Sequence, residues 1–276
     1  MKTQNSGFFA FILFFLISQV SFAQTLSEQD KFLAATGKLL IFGVKGGYSS
    51  SCTAFAFAKD GNKYLFFTGV HCVTKYNEET SKDILKDANF YISLKKQEGE
   101  VLMYKATVLT IGGMKNFDDF AIFEVEIDKD IPIMSLSKSN PGLNEEIGIV
   151  GVPVGEKEIF SYLKGRVSRV NMDYVVIRKN VTTKGAFGIE VLNLKTPYGC
   201  SGGAVFSVKS KKIVGIISGV LVNEKDKEIL NEKGQVTIFV VPITKFNDFY
   251  KEYTEGEHRF IGSKKNELKE EEGPNS

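Results

Sequence analysis

Apolar residues along this chain fall in short runs broken by glycine, asparagine, aspartate and lysine, and only two stretches carry helical spacing. After a polar lead-in over 24–37, helical between Ser27 and Ala35, the first run is Lys38–Val44. Ser51–Ala58 follows with Phe55 and Phe57, then a turn at Asp60-Gly61-Asn62 and a return strand over Lys63–Thr68, a strong hairpin signal. That strand runs on into Gly69-Val70-His71-Cys72-Val73. Residues 75–88 are polar and read as a short helix or loop. Phe90–Leu94, Val101–Ile111 and Phe117–Ile127 read as three more strands, with a turn at Gly112-Gly113. Ser135–Asn144 combines Ser, Asn, Pro and Gly as a linker does. A second series comprises Glu146–Val152, Ile159–Val170, Tyr174–Arg178, Phe187–Leu192, Ala204–Val208, Ile213–Val222 and Val236–Val241. Pro242–Tyr253 then places Ile243, Phe246, Phe249, Tyr250 and Tyr253 at helical spacing. From Gly256 the chain is charged and nearly free of apolar residues, the pattern of a disordered tail.

About six strands, a linker, about six strands and a terminal helix predict an all-β protein of two units with a cleft between them. The expected division is a leader over 1–23, a first barrel over 24–140, a second over 141–245, and a helix with charged tail over 246–276. Twenty-three Phe and 26 Gly among 276 residues fit β-structure rich in turns. A formal charge of +2, and a basic stretch no larger than Lys264-Lys265, give no footprint for nucleic acid. Lys2, the apolar run Phe8–Ile17 and Ser21-Phe22-Ala23 form an export signal cleaved after Ala23. The run is short for a membrane span, so no stable membrane anchor is expected after cleavage. The mature protein is then secreted or periplasmic, where disulfides form.

Candidate chemistry begins at Tyr198-Gly199-Cys200-Ser201-Gly202-Gly203-Ala204-Val205, a serine among glycines leading into an apolar strand. A turn reading is open for such a stretch. An acyl-transfer site needs the same arrangement: an exposed hydroxyl beside backbone N–H donors, with no Cβ blocking a substrate. The chain has two histidines, and His258 sits in the charged tail, so an imidazole that activates Ser201 is His71. Alone, His71 also reads as a structural histidine at a strand end. Phe117-Asp118-Asp119-Phe120-Ala121-Ile122 places two acids at the mouth of an apolar strand, where a half-buried carboxylate needs a partner. Strand alternation lets only one of the two face the histidine, and a register error of one residue exchanges Asp119 for Asp118. No stretch has zinc-ligand spacing, and no cofactor or metal is implied.

These residues carry a family resemblance. Gly199-Cys200-Ser201-Gly202-Gly203 resembles the Gly-x-Ser-Gly-Gly of chymotrypsin-like serine proteases, Thr68-Gly69-Val70-His71-Cys72 their Thr/Ser-Ala-Ala-His-Cys, and Asp119-Phe120-Ala121-Ile122 their Asp-Ile/Leu-Ala-Leu. The order His, Asp, Ser is the one this family uses. Gly151-Val152-Pro153-Val154-Gly155 resembles the opening of its second barrel, and Val214–Gly219 the strand lining its substrate cleft. The likeness spans about residues 38–253 and is nearest to bacterial exported trypsin-like peptidases.

The resemblance implies two six-stranded antiparallel β-barrels with a C-terminal helix. It implies a Ser201–His71–Asp119 triad, an oxyanion hole from the N–H groups of Gly199 and Ser201, and a Cys52–Cys72 disulfide pinning the histidine loop. Ser218, Gly219 and Val220 would offer main-chain groups to an extended protein or peptide substrate. Val220 stands where wide-pocket relatives carry glycine, which suggests a small apolar side chain before the cut, whereas Lys195 near the pocket floor would favour an acid. Digestive relatives carry an acid at the position of Cys200 that pairs with a new N-terminus on activation. Without it, the oxyanion loop must be ordered by its own packing or by substrate. Cys200 reads as a small buried side chain, with a reactive thiol as the alternative. The expected activity is an exported serine endopeptidase, and the competing reading is an inactive protease-fold binding protein.

Overall fold

The computed structural model describes residues 27–43, 48–74, 88–95, 101–111, 119–152, 161–176, 181–191, 199–220 and 231–255. The leader, residues 75–87, the Gly112-Gly113 turn, Asp118, Lys195 and the charged tail with His258 and Lys264-Lys265 lie outside them.

Helix α1 (Glu28–Ala34) opens the described chain, with the Ser27 hydroxyl accepting the Asp30 N–H at its N-terminus. The first barrel is built from β1 (Thr36–Phe42), β2 (Tyr48–Asp60), β3 (Lys63–Thr68), β4 (Asn89–Lys95), β5 (Val101–Ile111) and β6 (Ala121–Glu126). It closes antiparallel in the order β1-β2-β3-β6-β5-β4. The second uses β7 (Glu146–Gly151), β8 (Ser161–Val176), β9 (Val181–Val191), β10 (Ala204–Ser207), β11 (Ile213–Val220) and β12 (Val236–Pro242), closed as β10-β11-β12-β9-β8-β7. A four-residue helical turn α2 (Val70–Val73) follows β3, and helix α3 (Ile243–Thr254) follows β12.

Period two explains why several strands are apolar on both faces. In the first barrel Ala54 and Ala56 of β2, Tyr64 and Phe66 of β3, and Ala121, Phe123 and Val125 of β6 point into the barrel core. Their neighbours Phe55, Phe57, Phe67 and Ile122 point outward into a second apolar layer. That layer is shared: Ala204 and Phe206 of β10, Ile213 and Ile216 of β11, and Phe246 and Phe249 of α3 complete it from the other half. Val205, Val214 and Ile217 face the core of the second barrel. The two barrels are therefore joined by a continuous core of mostly aromatic and β-branched side chains. Phe32 of α1 belongs to it, fully buried and stacked on Phe206 with ring centroids 3.6 Å apart.

Three local readings change. Ile159–Val170 and Tyr174–Arg178, expected as two strands, belong largely to the single strand β8, whose polar interior residues sit at register shifts after Val167, Arg169 and Met172, with Asn171 at φ +51°. Bulges let a continuous strand carry a sequence that reads as interrupted. The strand expected over Phe117–Ile127 is described only from Ala121, so Asp119 lies before it. His71, expected at a strand end, sits in the turn α2. No helix among the described residues is long and apolar enough to cross a membrane.

Candidate active site

The hairpin β2–β3 delivers His71 to the face between the barrels. Gly69 makes the turn into α2, and a Cβ there would lie 2.7 Å from the imidazole Cε1 and 2.8 Å from Nδ1, so glycine is what lets the ring fold back over its own turn. Cys52 of β2 and Cys72 of α2 form a disulfide with Cα atoms 6.2 Å apart, tying the histidine turn to the first strand of the hairpin.

Asp119 faces that ring. Nδ1 of His71 lies 2.8 Å from Oδ2 and 3.0 Å from Oδ1. The His71 backbone N–H donates to Oδ1 at 3.1 Å, and the Ser218 hydroxyl donates to Oδ2 at 2.6 Å. Burial works against ionisation of this carboxyl. The attraction and hydrogen bond of the imidazole, the Ser218 hydroxyl and the His71 N–H outweigh it and hold the carboxyl below the usual carboxylate range. An ionised carboxylate accepts only, so Nδ1 donates to it, and in the neutral form of the ring Nε2 keeps its lone pair. Strand alternation is not what selects Asp119, since it precedes β6; the double contact of its carboxylate with residue 71 does.

The serine loop reaches the same place from the other barrel. Gly199 has φ +88° and Gly202 φ +81°, the left-handed region open to glycine. A Cβ on Gly202 would lie 2.2 Å from Thr68 Oγ1, 2.3 Å from the Thr53 carbonyl oxygen and 3.0 Å from the Gly69 nitrogen, so the loop packs directly on the histidine hairpin. The Thr53 N–H donates to the Ser201 carbonyl at 2.8 Å, and Cys72 Sγ lies 4.0 Å from that oxygen. His71 Nε2 lies 3.7 Å from Cys72 Sγ, and among the described residues no hydrogen bond joins the imidazole to the Ser201 hydroxyl. Cys200 turns the other way, 2% exposed in the core of the second barrel, against Gly151.

Three roles lie beyond the sequence reading. The Ser218 side chain, expected only to offer main-chain groups, is a partner of Asp119. Thr53 joins the halves through its buried hydroxyl, which donates to Gly199 O, and Thr68 braces it from within the first barrel by donating to Thr53 O. A threonine in the row Thr53, Phe55, Phe57 was the one available signal, a polar side chain on a face otherwise apolar.

Main-chain pairing of β11 with the serine loop ends at Ile217, which donates to Gly203 O and accepts from Gly202 N–H at 2.9 and 2.8 Å. Beyond it, Gly219 and Val220 pair with Phe239 and Ile238 of β12. Their other edge has no strand neighbour among the described residues. No group of three or more His, Cys, Asp or Glu among those residues is placed to hold a metal ion.

The family described as a trypsin-like peptidase domain matches residues 52–216, more than half of the chain. A comparison with curated protein sequences gives no match. Solved structures sharing the fold include Deg5, at TM-score 0.56 and 15% identity over 80% of this chain and 89% of that one. The active form of the Rv3671c protease of M. tuberculosis matches at 0.57 and 15%, over 80% and 81%. The MamO protease domain of Magnetospirillum magneticum, in its apo form, matches at 0.55 and 12%, over 80% and 98%. The paired closed barrels and the match across the histidine turn, Asp119 and the serine loop make this chain a member of the trypsin-like peptidase family, built on the chymotrypsin-like serine-protease fold.

Proposed function

We propose that the protein is an exported serine endopeptidase that hydrolyses peptide bonds through an acyl-enzyme. The observation that carries this reading is the Asp119 carboxylate, which engages both Nδ1 and the backbone N–H of His71 and leaves Nε2 free to accept a proton. In the first half-reaction Ser201 Oγ attacks the scissile carbonyl carbon while its proton passes to His71 Nε2. Asp119 stabilises the imidazolium that forms. The N–H groups of Gly199 and Ser201 receive the oxyanion. The tetrahedral species collapses as the same proton moves to the leaving amine, and water then releases the acyl group by the reverse sequence. The acid–base step contributes about 10²–10⁴-fold and one oxyanion donor about 10²–10³-fold.

The open edge of Ser218–Val220 supports a substrate bound as an added strand, its backbone pairing there. Val220, standing where wide-pocket relatives carry glycine, favours a small apolar side chain before the cut, and Lys195 would favour an acid instead; a peptide-library cleavage profile decides between them. The Cys52–Cys72 disulfide and the leader over 1–23 support a secreted or periplasmic site of action. Burial of Cys200 favours Ser201 as the nucleophile.

One observation favours the competing reading, a protease-fold protein that binds without cutting: the arm from Nε2 to the Ser201 hydroxyl is not hydrogen-bonded. Such arms are often long in unliganded enzymes and tighten on substrate. Labelling of the purified protein by a fluorophosphonate probe separates the two. Wild type is expected to label and to cleave casein, and Ser201→Ala and His71→Ala to do neither. A wild type that stays unlabelled, or a Ser201→Ala protein that cleaves at the wild-type rate, overturns the assignment.

A further inference from the structure

The family's digestive members order the oxyanion loop with an acid where this chain has Cys200, so something else must hold it here. We propose that Thr53, in the first barrel, is the positioning residue that sets the oxyanion loop of the second, a role that rests on the peptidase reading above.

Thr53 is fully buried and lies on the outward row of β2, between the barrels. Its hydroxyl donates to the Gly199 carbonyl at 2.8 Å and accepts the Val152 N–H at 2.9 Å. Its backbone N–H donates to the Ser201 carbonyl at 2.8 Å, and its own carbonyl accepts the Thr68 hydroxyl at 2.7 Å. One residue thus binds both ends of Gly199-Cys200-Ser201. The hydroxyl has a single proton. With the Val152 N–H occupying a lone pair, that proton is directed to Gly199 O, so the contact has a fixed sense.

The consequence for the oxyanion donors follows from peptide planarity. Thr53 Oγ1 fixes the Gly199–Cys200 plane through its carbonyl, and Thr53 N–H fixes the Ser201–Gly202 plane through its own. The plane between them carries the Ser201 N–H, and its carbonyl, that of Cys200, accepts the Gly203 N–H at 2.8 Å. No peptide in the described chain is cis, so the Ser201 N–H points away from that carbonyl, in a direction fixed on both flanks. With Gly199 held through its carbonyl at φ +88°, its N–H is set as well. Val152 adds a second anchor, because a Cβ on the adjacent Gly151 would lie 3.0 Å from Cys200 Cβ and Sγ, which leaves that loop residue closely packed against it. Donors that need no reorganisation as charge develops are what an oxyanion hole requires.

The test compares purified wild type, Thr53→Val and Thr53→Ser by kcat and KM on a quenched fluorogenic peptide, by fluorophosphonate labelling rate and by thermal unfolding. Thr53→Val keeps the shape and removes the hydroxyl. It is expected to lower kcat and the labelling rate together by about 10- to 100-fold, less than loss of a donor itself, with KM within about twofold. Thr53→Ser, which keeps the hydroxyl, is expected to recover kcat to within about threefold. A Thr53→Val protein with wild-type kcat, or a Thr53→Ser protein as impaired as Thr53→Val, overturns the role. If Thr53→Val does not fold, Thr53→Ala takes its place with the same expectation, and failure of both to fold overturns positioning in favour of a purely structural hydroxyl. A wild type that neither cleaves nor labels refutes the peptidase reading and this role with it, whereas an active wild type beside an unimpaired Thr53→Val refutes the role alone.

Discussion

Gly202→Ala probes the contact on which the site depends, the seat of the serine loop on the histidine hairpin. The residue sits at φ +81°, where an alanine costs about 1–2 kcal/mol over glycine. Its Cβ would stand 2.3 Å from the Thr53 carbonyl oxygen and 2.2 Å from Thr68 Oγ1, where ordinary contact begins at 3.4 Å. The Thr68 hydroxyl is buried and bound to that same carbonyl, so it cannot simply swing aside. The backbones must separate by about an ångström, an overpacking cost of about 1–3 kcal/mol. That movement weakens the Thr68–Thr53 and Thr53–Ser201 hydrogen bonds, at about 0.5–1.5 kcal/mol each. The sum is roughly 3–8 kcal/mol, and at its centre of about 5 it lowers the apparent Tm of a domain of this size by roughly 10–20 °C. Thermal unfolding followed by circular dichroism measures it. Gly142→Ala is the control, since a Cβ there meets nothing within 4 Å. A Gly202→Ala protein melting within about 3 °C of wild type would refute the reasoning, because two backbones at that separation cannot admit a methyl group.

Three further outcomes are expected. Ser218→Ala removes a hydrogen bond to an ionised carboxylate and should lower kcat/KM about tenfold on a fluorogenic peptide, an unchanged value meaning that Asp119 needs no third donor. Asp119 has a folded-state pKa below its unfolded value, so its pairing stabilises the fold above about pH 4 and is lost as pH falls through the lower folded value. In urea titrations the gap between wild type and Asp119→Asn should therefore narrow as pH falls below about 4, and a gap that widened in acid would reverse the sign. The double change Cys52→Ser, Cys72→Ser opens a link across 20 residues and should cost about 3 kcal/mol in the same titration at neutral pH, with a loss under about 1 kcal/mol contradicting the chain-entropy argument.

Much of this was legible because local signals agreed. The Asp60-Gly61-Asn62 turn sits between β2 and β3, with Gly61 at φ +60° as a tight hairpin demands. Apolar runs without alternation, such as Phe66-Phe67 and Ala121-Ile122-Phe123, mark strands buried on both faces, one toward a barrel and one toward the other half of the molecule. The pairing of His71 with Asp119 was reachable through motif order, although the reason lies in a turn and a backbone N–H rather than strand alternation. What escaped was set at long range. The partners of the Thr53 hydroxyl are 99 and 146 residues away, and Ser218 meets Asp119 across 99 residues. No window of sequence contains both ends of such a bond. The bulged strand β8 escaped for a different reason: Asn171 and its polar neighbours are turn residues by composition, and only the partner strand makes them a bulge.

The stacking of Phe32 on Phe206 has a consequence for how the molecule is assembled. A helix that precedes the first barrel finds its seat on a strand from the last third of the chain. During synthesis that helix has only the Phe55 side of its seat until β10 has been made, so its full burial waits for the second barrel. A seven-residue helix has little stability in isolation, so α1 is fully secured only when both barrels supply its seat.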